Sequence, residues 1–322
     1  MYLSRLSYGL AAVGASAALS VVVVSAGLSG AAGADDARSV LAHSAEGMNT
    51  RRNPVDDAEM VWVPAGEFVC GREGATGSIA VGPDAVSTTQ APLPVSPLPL
   101  SRRQLEGFWV YRYEVTNEMY RRFMKETGYN FQPITWSGAY PNAGASGVIP
   151  KVAEPKAELW ARIRQHPVFV RWRDAKVYAD WAKVRLPTEL EWEKAARGTD
   201  GRRFPWGNEI RPSFLEGPWY HPVSAPSVDV SPYGVVGMLG SALEWTATTV
   251  DARWAIVRGA VAPRWMPTRS RRYADAFWQA AHLAQRWVAD PQGSQYGDKK
   301  LDFADQYGVG MQLVGFRCVS SR

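Results

Sequence analysis

HPVFVRWRDAKVYADWAKVRLPTELEWEKAARGTDGRRFPWGN, His166 to Asn208, is the stretch on which the reading of this chain turns. Val168, Phe169 and Val170 are a short apolar run of strand type, and Asp174 stands where an acidic side chain favours a helix N-terminus. Ala175, Tyr178, Trp181 and Ala182 then recur at three- and four-residue spacing, which gives a helix one apolar face. Pro187 is expected to stop that helix. Thr188 with Glu191 forms a capping box that opens a second helix, whose Trp192, Ala195 and Ala196 share a face. The pattern is strand, helix, tight connection, helix and turn, and two amphipathic helices this close need a common surface to pack on.

Composition supports a globular body around that stretch. The chain has 322 residues, 46% of them hydrophobic, enough for a large core. Fourteen Trp, 22 Pro and 29 Gly point to turn-rich backbone pinned by large aromatic side chains and argue against a helical bundle. The net charge of +5 is spread along the chain, and its one dense cluster runs from Arg264 to Arg272. No nucleic-acid motif accompanies it, so nucleic acid is not an expected partner. The two cysteines, Cys70 and Cys318, can form one disulfide or remain two buried thiols, and they exclude a CxxC motif, a zinc knuckle or a dithiol relay.

Upstream, residues 6–34 carry no charge and contain four consecutive valines. Arg5 precedes the run and Asp35 and Asp36 follow it, which places the N-terminus in the cytoplasm and the body across the membrane. Ala32-Gly33-Ala34 also fits a signal-peptidase site, and cleavage after Ala34 would release the body. The retained anchor is the expected reading, with the body on the periplasmic side of the inner membrane. Residues 35–58 are polar and read as a tether.

Met60 to Gly71 alternates around Pro-Ala-Gly-Glu, a hairpin signal. The Pro-rich segment from Gly74, extending to 104 as a domain feature, reads as a long loop or polyproline-like arm. Phe108 to Tyr113 reads as strand, and Thr116 caps a helix with Tyr120, Phe123 and Met124 on one face. Residues 129–160 are irregular. Tyr233 to Thr246 is punctuated by glycines, Ile256 to Gly259 reads as strand, Ala274 to Val288 as helix and Gly310 to Val319 as a closing strand.

In this order the pieces resemble the formylglycine-generating enzyme (sulfatase-modifying factor) family. The resemblance rests on MVWVPAGEF at 60–68, FWVYRYEVTNEMYRRF at 108–123 and the opening stretch through RLPTELEWEKAARG. It continues in FPWGNE at 204–209, YGVVGMLGSALEWT at 233–246, VRG at 257–259 and GFRC at 315–318. It implies one α+β domain over about 59–322, distorted C-type-lectin-like, with little regular secondary structure and an extracytoplasmic location.

The resemblance also implies a copper(I) site of two thiolates in the segment after Arg258-Gly259. Residues 262–273 contain no cysteine, and Arg264 and Arg269 fall about where the thiols would be; guanidinium groups do not bind copper(I) as thiolates do. A calcium site is implied at Gly240, Ala242 and Glu244, weakened because Gly237 and Ser241 stand where asparagines are usual. Cys318 matches a cysteine whose usual partner position is Ala179, and Cys70 stands where Met is usual. The resemblance implies that the first and last strands lie side by side, so Cys70 and Cys318 are read either as a disulfide or as two buried thiols.

Each sharper reading has a plainer rival. Glu244 with Trp245 is either a catalytic acid beside a stacking platform or, as preferred here, a buried acceptor beside a core residue. His43, His166, His221 and His282 share no motif, so non-haem iron is not expected. Glu189, Glu191 and Glu193 favour the positive end of their helix dipole and are expected to face solvent or nearby arginines. Arg264, Trp265, Met266, Arg269, Arg271 and Arg272 mix residue types common at protein interfaces and form the docking candidate.

The expected protein is a non-catalytic, membrane-anchored periplasmic scaffold or accessory subunit, such as one in an electron-transfer or photosynthetic assembly. Its partners would be other subunits and the membrane through residues 6–34, its catalytic residues none, and its cofactors none beyond at most one weak calcium. The alternatives are a cysteine-independent oxidative tailoring enzyme centred on Glu244 and a lectin-like ligand binder.

Overall fold

The computed structural model describes residues 49–79, 93–130, 133, 155–215, 220–251, 254–260, 283, 286–289 and 314–321. The anchor at 6–34, most of the tether, His43, His282 and the whole Arg264–Arg272 cluster lie outside them. Among the described residues no helix is long and apolar enough to cross a membrane. The architecture is α+β.

Strands β1 (Thr50–Arg52), β2 (Glu59–Val63), β6 (Phe108–Tyr111) and β11 (Val319–Ser320) form an antiparallel sheet in the order β1-β2-β6-β11. Both of its faces are covered. Met60 and Tyr111, paired across β2 and β6, point into one core cluster, whereas Val61, Val63, Phe108 and Val110 point into another.

The second sheet has the order β10-β7-β8-β9-β4, built from β4 (Leu93–Val95), β7 (Leu243–Asp251), β8 (Trp254–Arg258), β9 (Arg286–Ala289) and β10 (Val314–Gly315). Strand β10 runs parallel to β7 and the remaining pairs are antiparallel. A separate ribbon joins β3 (Gly66–Cys70) to β5 (Ser101–Leu105).

Three helices start at their sequence signals, whereas a fourth begins inside the segment read as irregular. Helix α1 (Asn117–Thr127) starts at Thr116, whose side chain accepts from the Met119 amide, and ends at Gly128 in the left-handed region. Helix α2 spans Ala157–Ile163. Helix α3 (Trp172–Trp181) carries Asp174 in its first turn, where the carboxylate accepts from the Arg171 amide and guanidinium. Helix α4 (Glu189–Arg197) has the reciprocal Thr188–Glu191 capping box. Ala175, Tyr178 and Ala179 of α3 enter one cluster and Trp192, Ala195 and Ala196 of α4 the other.

Several expectations fail for reasons of tertiary pairing. β2 and β3 are not a hairpin: β2 pairs with β6 and β3 with β5, so the Pro-Ala-Gly-Glu turn carries the chain between sheets. Lys194 of α4 holds that turn by donating to the carbonyls of Pro64 and Gly66, at 2.7 and 2.9 Å. Val168 to Val170 is buried but forms no strand; its amides bond singly to Val115 and to Val314. Helix α3 ends at Trp181, and Lys183 at φ 59° turns the chain well before Pro187.

The Pro-rich segment contributes β4 and β5 rather than remaining an arm throughout, while residues 80–92 lie outside the described residues. Arg286 to Ala289 is strand, so a helix does not extend to Val288. The closing strand divides into β10 and β11, which belong to different sheets.

Candidate functional site

The division between β10 and β11 places Arg317 in the interior, between the two sheets' closing strands. Its guanidinium donates to both oxygens of Glu244 at the start of β7, with Nη2 2.6 Å from Oε1 and Nε 2.8 Å from Oε2. The Trp192 indole on α4 donates to Glu244 Oε2 from 2.8 Å. Arg317 also donates to the carbonyls of Tyr111 and Arg112 through Nη1 and to those of Val236 and Gly237 through Nη2. One side chain thus ties the C-terminal strand to β6, to the 229–241 loop and to β7.

Two further carboxylates lie near this pair. Glu114, just after β6, has Oε2 3.8 Å from Arg317 Nη2. Asp229 accepts from the amides of Leu239 and Gly240 at 2.7 and 2.8 Å. Glu114, Asp229, Glu244 and Arg317 are each no more than 1% exposed. Among the described residues Glu114 Oε1 and Asp229 Oδ1 have no hydrogen-bond partner.

Three carboxylates around one guanidinium leave excess negative charge out of water, which favours the protonated form of the less well-paired acids. Burial pushes the Glu114 carboxyl up to about 8, opposed by Arg317 and reinforced by Glu244. Burial likewise raises Asp229 to about 6 against the two loop amides. Burial alone would lower the Arg317 guanidinium, but the Glu244 charge outweighs it and holds the group above its ordinary value.

A second buried ion network braces α4. Glu193 accepts from the Gly71 amide at 2.7 Å and from Arg258 on β8 at 2.8 Å, and pairs with the Arg197 guanidinium at 3.1 Å. The Arg258 guanidinium lies 5.2 Å from the Trp192 ring centroid and donates to the Leu283 carbonyl. Glu193 therefore faces arginines but not solvent, while Glu191 pairs with half-exposed Arg185.

Two of the calcium donors named from the sequence, Glu244 and Gly240, already make hydrogen bonds within the chain. Both oxygens of Glu244 are engaged by Arg317 and Trp192. The Gly240 carbonyl accepts from the Ala242 amide at 2.9 Å, closing a γ-turn with Ser241 at φ 70°. At position 237 a Cβ would lie 2.9 Å from Glu114 Oε2, so the place of a side-chain ligand is filled by another carboxylate. Copper(I) does not fit the segment that the resemblance assigns to it. Its segment has no thiol, and the chain's two cysteines stand apart in separate structural units.

Cys70 and Cys318 are free, buried thiols. Cys70 lies on β3 beside Ser101, its Sγ 3.4 Å from the hydroxyl, whereas Cys318 directly precedes β11 and packs with Tyr111 and Tyr178. The side-by-side arrangement needed for the disulfide is not met: β11 pairs with β6, and β3 belongs to the ribbon. Trp245 is core, with its indole donating to the Val170 carbonyl. His166 packs on Tyr220, with ring centroids 4.5 Å apart, and burial lowers it to about 4.

Residues 45–322 match the sulfatase-modifying factor enzyme 1-like domain family. The chain belongs to that family. It is 31% identical to the formylglycine-generating enzyme of Thermomonospora curvata over 63% of its own length and 76% of the relative's. It is 28% identical to the inactive C-alpha-formylglycine-generating enzyme 2 of Mus musculus, over 66% of this chain and 76% of that one. Hercynine oxygenase of Mycolicibacterium smegmatis is 31% identical over 68% of this chain, which spans only 50% of that protein. Relatives named as active and as inactive thus stand at similar distance, and function turns on this chain's own site.

Within the family domain, Arg317, Glu114 and Asp229 are the central polar residues that sequence reasoning passed over. Arg317 and Glu114 lie in GFRC and RYEVTN, motifs read for strand and helix-cap patterns. Asp229 falls in a segment with little periodicity, and nothing local marks it as a partner of the loop ten residues on.

Proposed function

We propose that this chain is a non-catalytic binding member of its family, a scaffold or accessory subunit held on the periplasmic side of the inner membrane through residues 6–34. The observation that carries the reading is the engagement of Glu244. The acid that a tailoring reaction would use is closed off from water by Arg317 and Trp192, and its hydrogen bonds are already made. The cysteine-free segment at 262–273 supports the same reading, as does a mouse relative named inactive. Docking is assigned to Arg264, Trp265, Met266, Arg269, Arg271 and Arg272, with other subunits of a membrane assembly, such as an electron-transfer or photosynthetic one, as partners.

The test has two arms. Copper-loaded full-length chain, incubated with oxygen and a cysteine-containing sulfatase peptide, should leave the cysteine unoxidised by mass spectrometry. Extraction of native membranes in mild detergent should give a particle heavier than the monomer, which Arg264→Glu with Arg269→Glu breaks down. Conversion of the peptide, or a lone monomer, overturns the reading.

The likeness to hercynine oxygenase favours one alternative, a cysteine-independent tailoring enzyme. That alternative requires an oxygen-dependent product which Glu244→Gln abolishes while the variant remains folded.

A further inference from the structure

The geometry points to the Trp62–Trp109 end of the first sheet as the face on which the domain rests against the phospholipid headgroups of its own membrane, an inference that rests on the proposed anchor at 6–34. Trp62 on β2 lies opposite Trp109 on β6, with ring centroids 5.3 Å apart. The Arg51 guanidinium on β1 stands 4.5 Å from the Trp109 ring centroid. Arg51 pairs with Met60, two residues before Trp62, so all three side chains leave the sheet on one face. Met60 and Tyr111 on that face are buried in the core, whereas Arg51, Trp62 and Trp109 are only half-buried. Among the described residues Trp62 packs against neither large core cluster. Its ring lies instead over Gly107, where a Cβ would come within 2.4 Å of it.

The course of the chain brings lipid to this face. The Trp62 amide donates to the Asn49 carbonyl at 3.0 Å, so the backbone leading back towards the anchor borders the indole. Only residues 35–48 separate the uncharged run from Asn49, and even fully extended they reach no more than about 50 Å. A weak contact between this face and the membrane therefore acts at high effective concentration. The chemistry suits headgroups as well. An indole settles where its apolar body and its polar N–H are both accommodated, and a guanidinium beside it reaches phosphate. The neighbouring acids, Asp57 and Glu59, are paired with Arg52 at 3.1 Å and with Arg112 at 2.8 Å, which limits their repulsion of an anionic surface.

The experiment uses the full chain carrying Asn49→Cys, labelled with bimane and reconstituted in phosphatidylethanolamine–phosphatidylglycerol vesicles that contain a headgroup-nitroxide lipid. Cys70 and Cys318 are buried, so the introduced thiol takes the label. Glu209→Cys is the comparison. Glu209 is exposed, and its carbonyl accepts from Trp206, which packs on the core cluster across the sheet. The expected result is quenching several-fold stronger at position 49 than at position 209, falling to the level of 209 when Arg51→Glu or Trp62→Ser is added.

Quenching at position 49 no stronger than at 209 overturns the inference. So does quenching that survives either added substitution in a folded variant, because the tether alone then brings position 49 to lipid. Arg51→Glu decides the matter if Trp62→Ser does not fold. Carbonate washing separates this inference from the anchor on which it rests. A chain stripped from the vesicles has no anchor, and both readings fall; a chain that stays in the membrane without selective quenching overturns the resting face alone.

Discussion

The Arg317 guanidinium and the Glu244 carboxylate meet at 2.6 Å with both side chains out of contact with water. A buried pair of this kind adds little net stability over a hydrophobic pair, because desolvation offsets the attraction, but removing one partner strands the other. Arg317→Met therefore leaves Glu244, Glu114 and Asp229 without their guanidinium and removes a donor from four backbone carbonyls, of which that of Arg112 keeps the Val236 amide. The expected cost is about 3–5 kcal/mol in urea unfolding, far more than for an exposed arginine. A loss below about 1 kcal/mol would show that the pair contributes little to holding the sheets together.

Glu193 gives the same logic at the other network. Its carboxylate faces Arg197 and Arg258, both fully buried. Glu193→Ala removes the nearest carboxylate from two buried guanidinium groups, leaving Arg258 with Glu189 at 3.7 Å, and takes the acceptor from the Gly71 amide, so a loss of about 3–5 kcal/mol is expected. Glu193→Gln, which keeps one acceptor oxygen, should lose less. Urea melts of the two variants check the ranking, and equal losses would show that shape rather than charge matters there.

Local chemistry was legible where a few neighbouring residues decide the outcome. The Thr188–Glu191 box, the Thr116 cap and the apolar faces of α3 and α4 all appear as the spacing predicts. Pairing was not legible where the partner is remote. The turn between β2 and β3 has hairpin residues, yet Phe108 to Tyr111 and Ser101 to Leu105 compete for its strands and win. Glu193 and Glu244 look like surface or catalytic acids in isolation. Besides Arg197 one turn along the helix, Glu193 meets Arg258, 65 residues away, and Glu244 meets Arg317, 73 residues away, and only the fold brings these two pairs together.

Thr188 tests how much the local signal is worth. Its hydroxyl accepts from the Glu191 amide at 3.2 Å, and the Glu191 carboxylate returns to the Thr188 amide at 2.8 Å. Thr188→Ala removes the first bond and should cost about 1 kcal/mol. Thr188→Ser should be nearly silent. Thermal melts that show equal losses for both would assign the effect to packing of the methyl group instead.

Glu114 makes stability depend on pH with a defined sign. Its folded-state value, about 8, lies above the ordinary value of 4.5, so the folded protein holds a proton that the unfolded chain releases. The corresponding stability is fully present below pH 4.5 and is lost as pH rises through about 8, after which it changes no further. Asp229 acts in the same direction over a lower window, from 3.8 to about 6. Glu114→Gln resembles the protonated acid in shape and charge and removes the upper window. At pH 9 the variant should melt above the wild type, whereas at pH 5, where folded Glu114 is neutral, the two should nearly coincide. Carboxyl titration by isotope-edited infrared spectroscopy of the folded protein gives an independent reading. A Glu114 carboxyl already ionised at pH 6 would mean that Arg317 stabilises two carboxylates at once, and the melting difference would then be the same at both pH values.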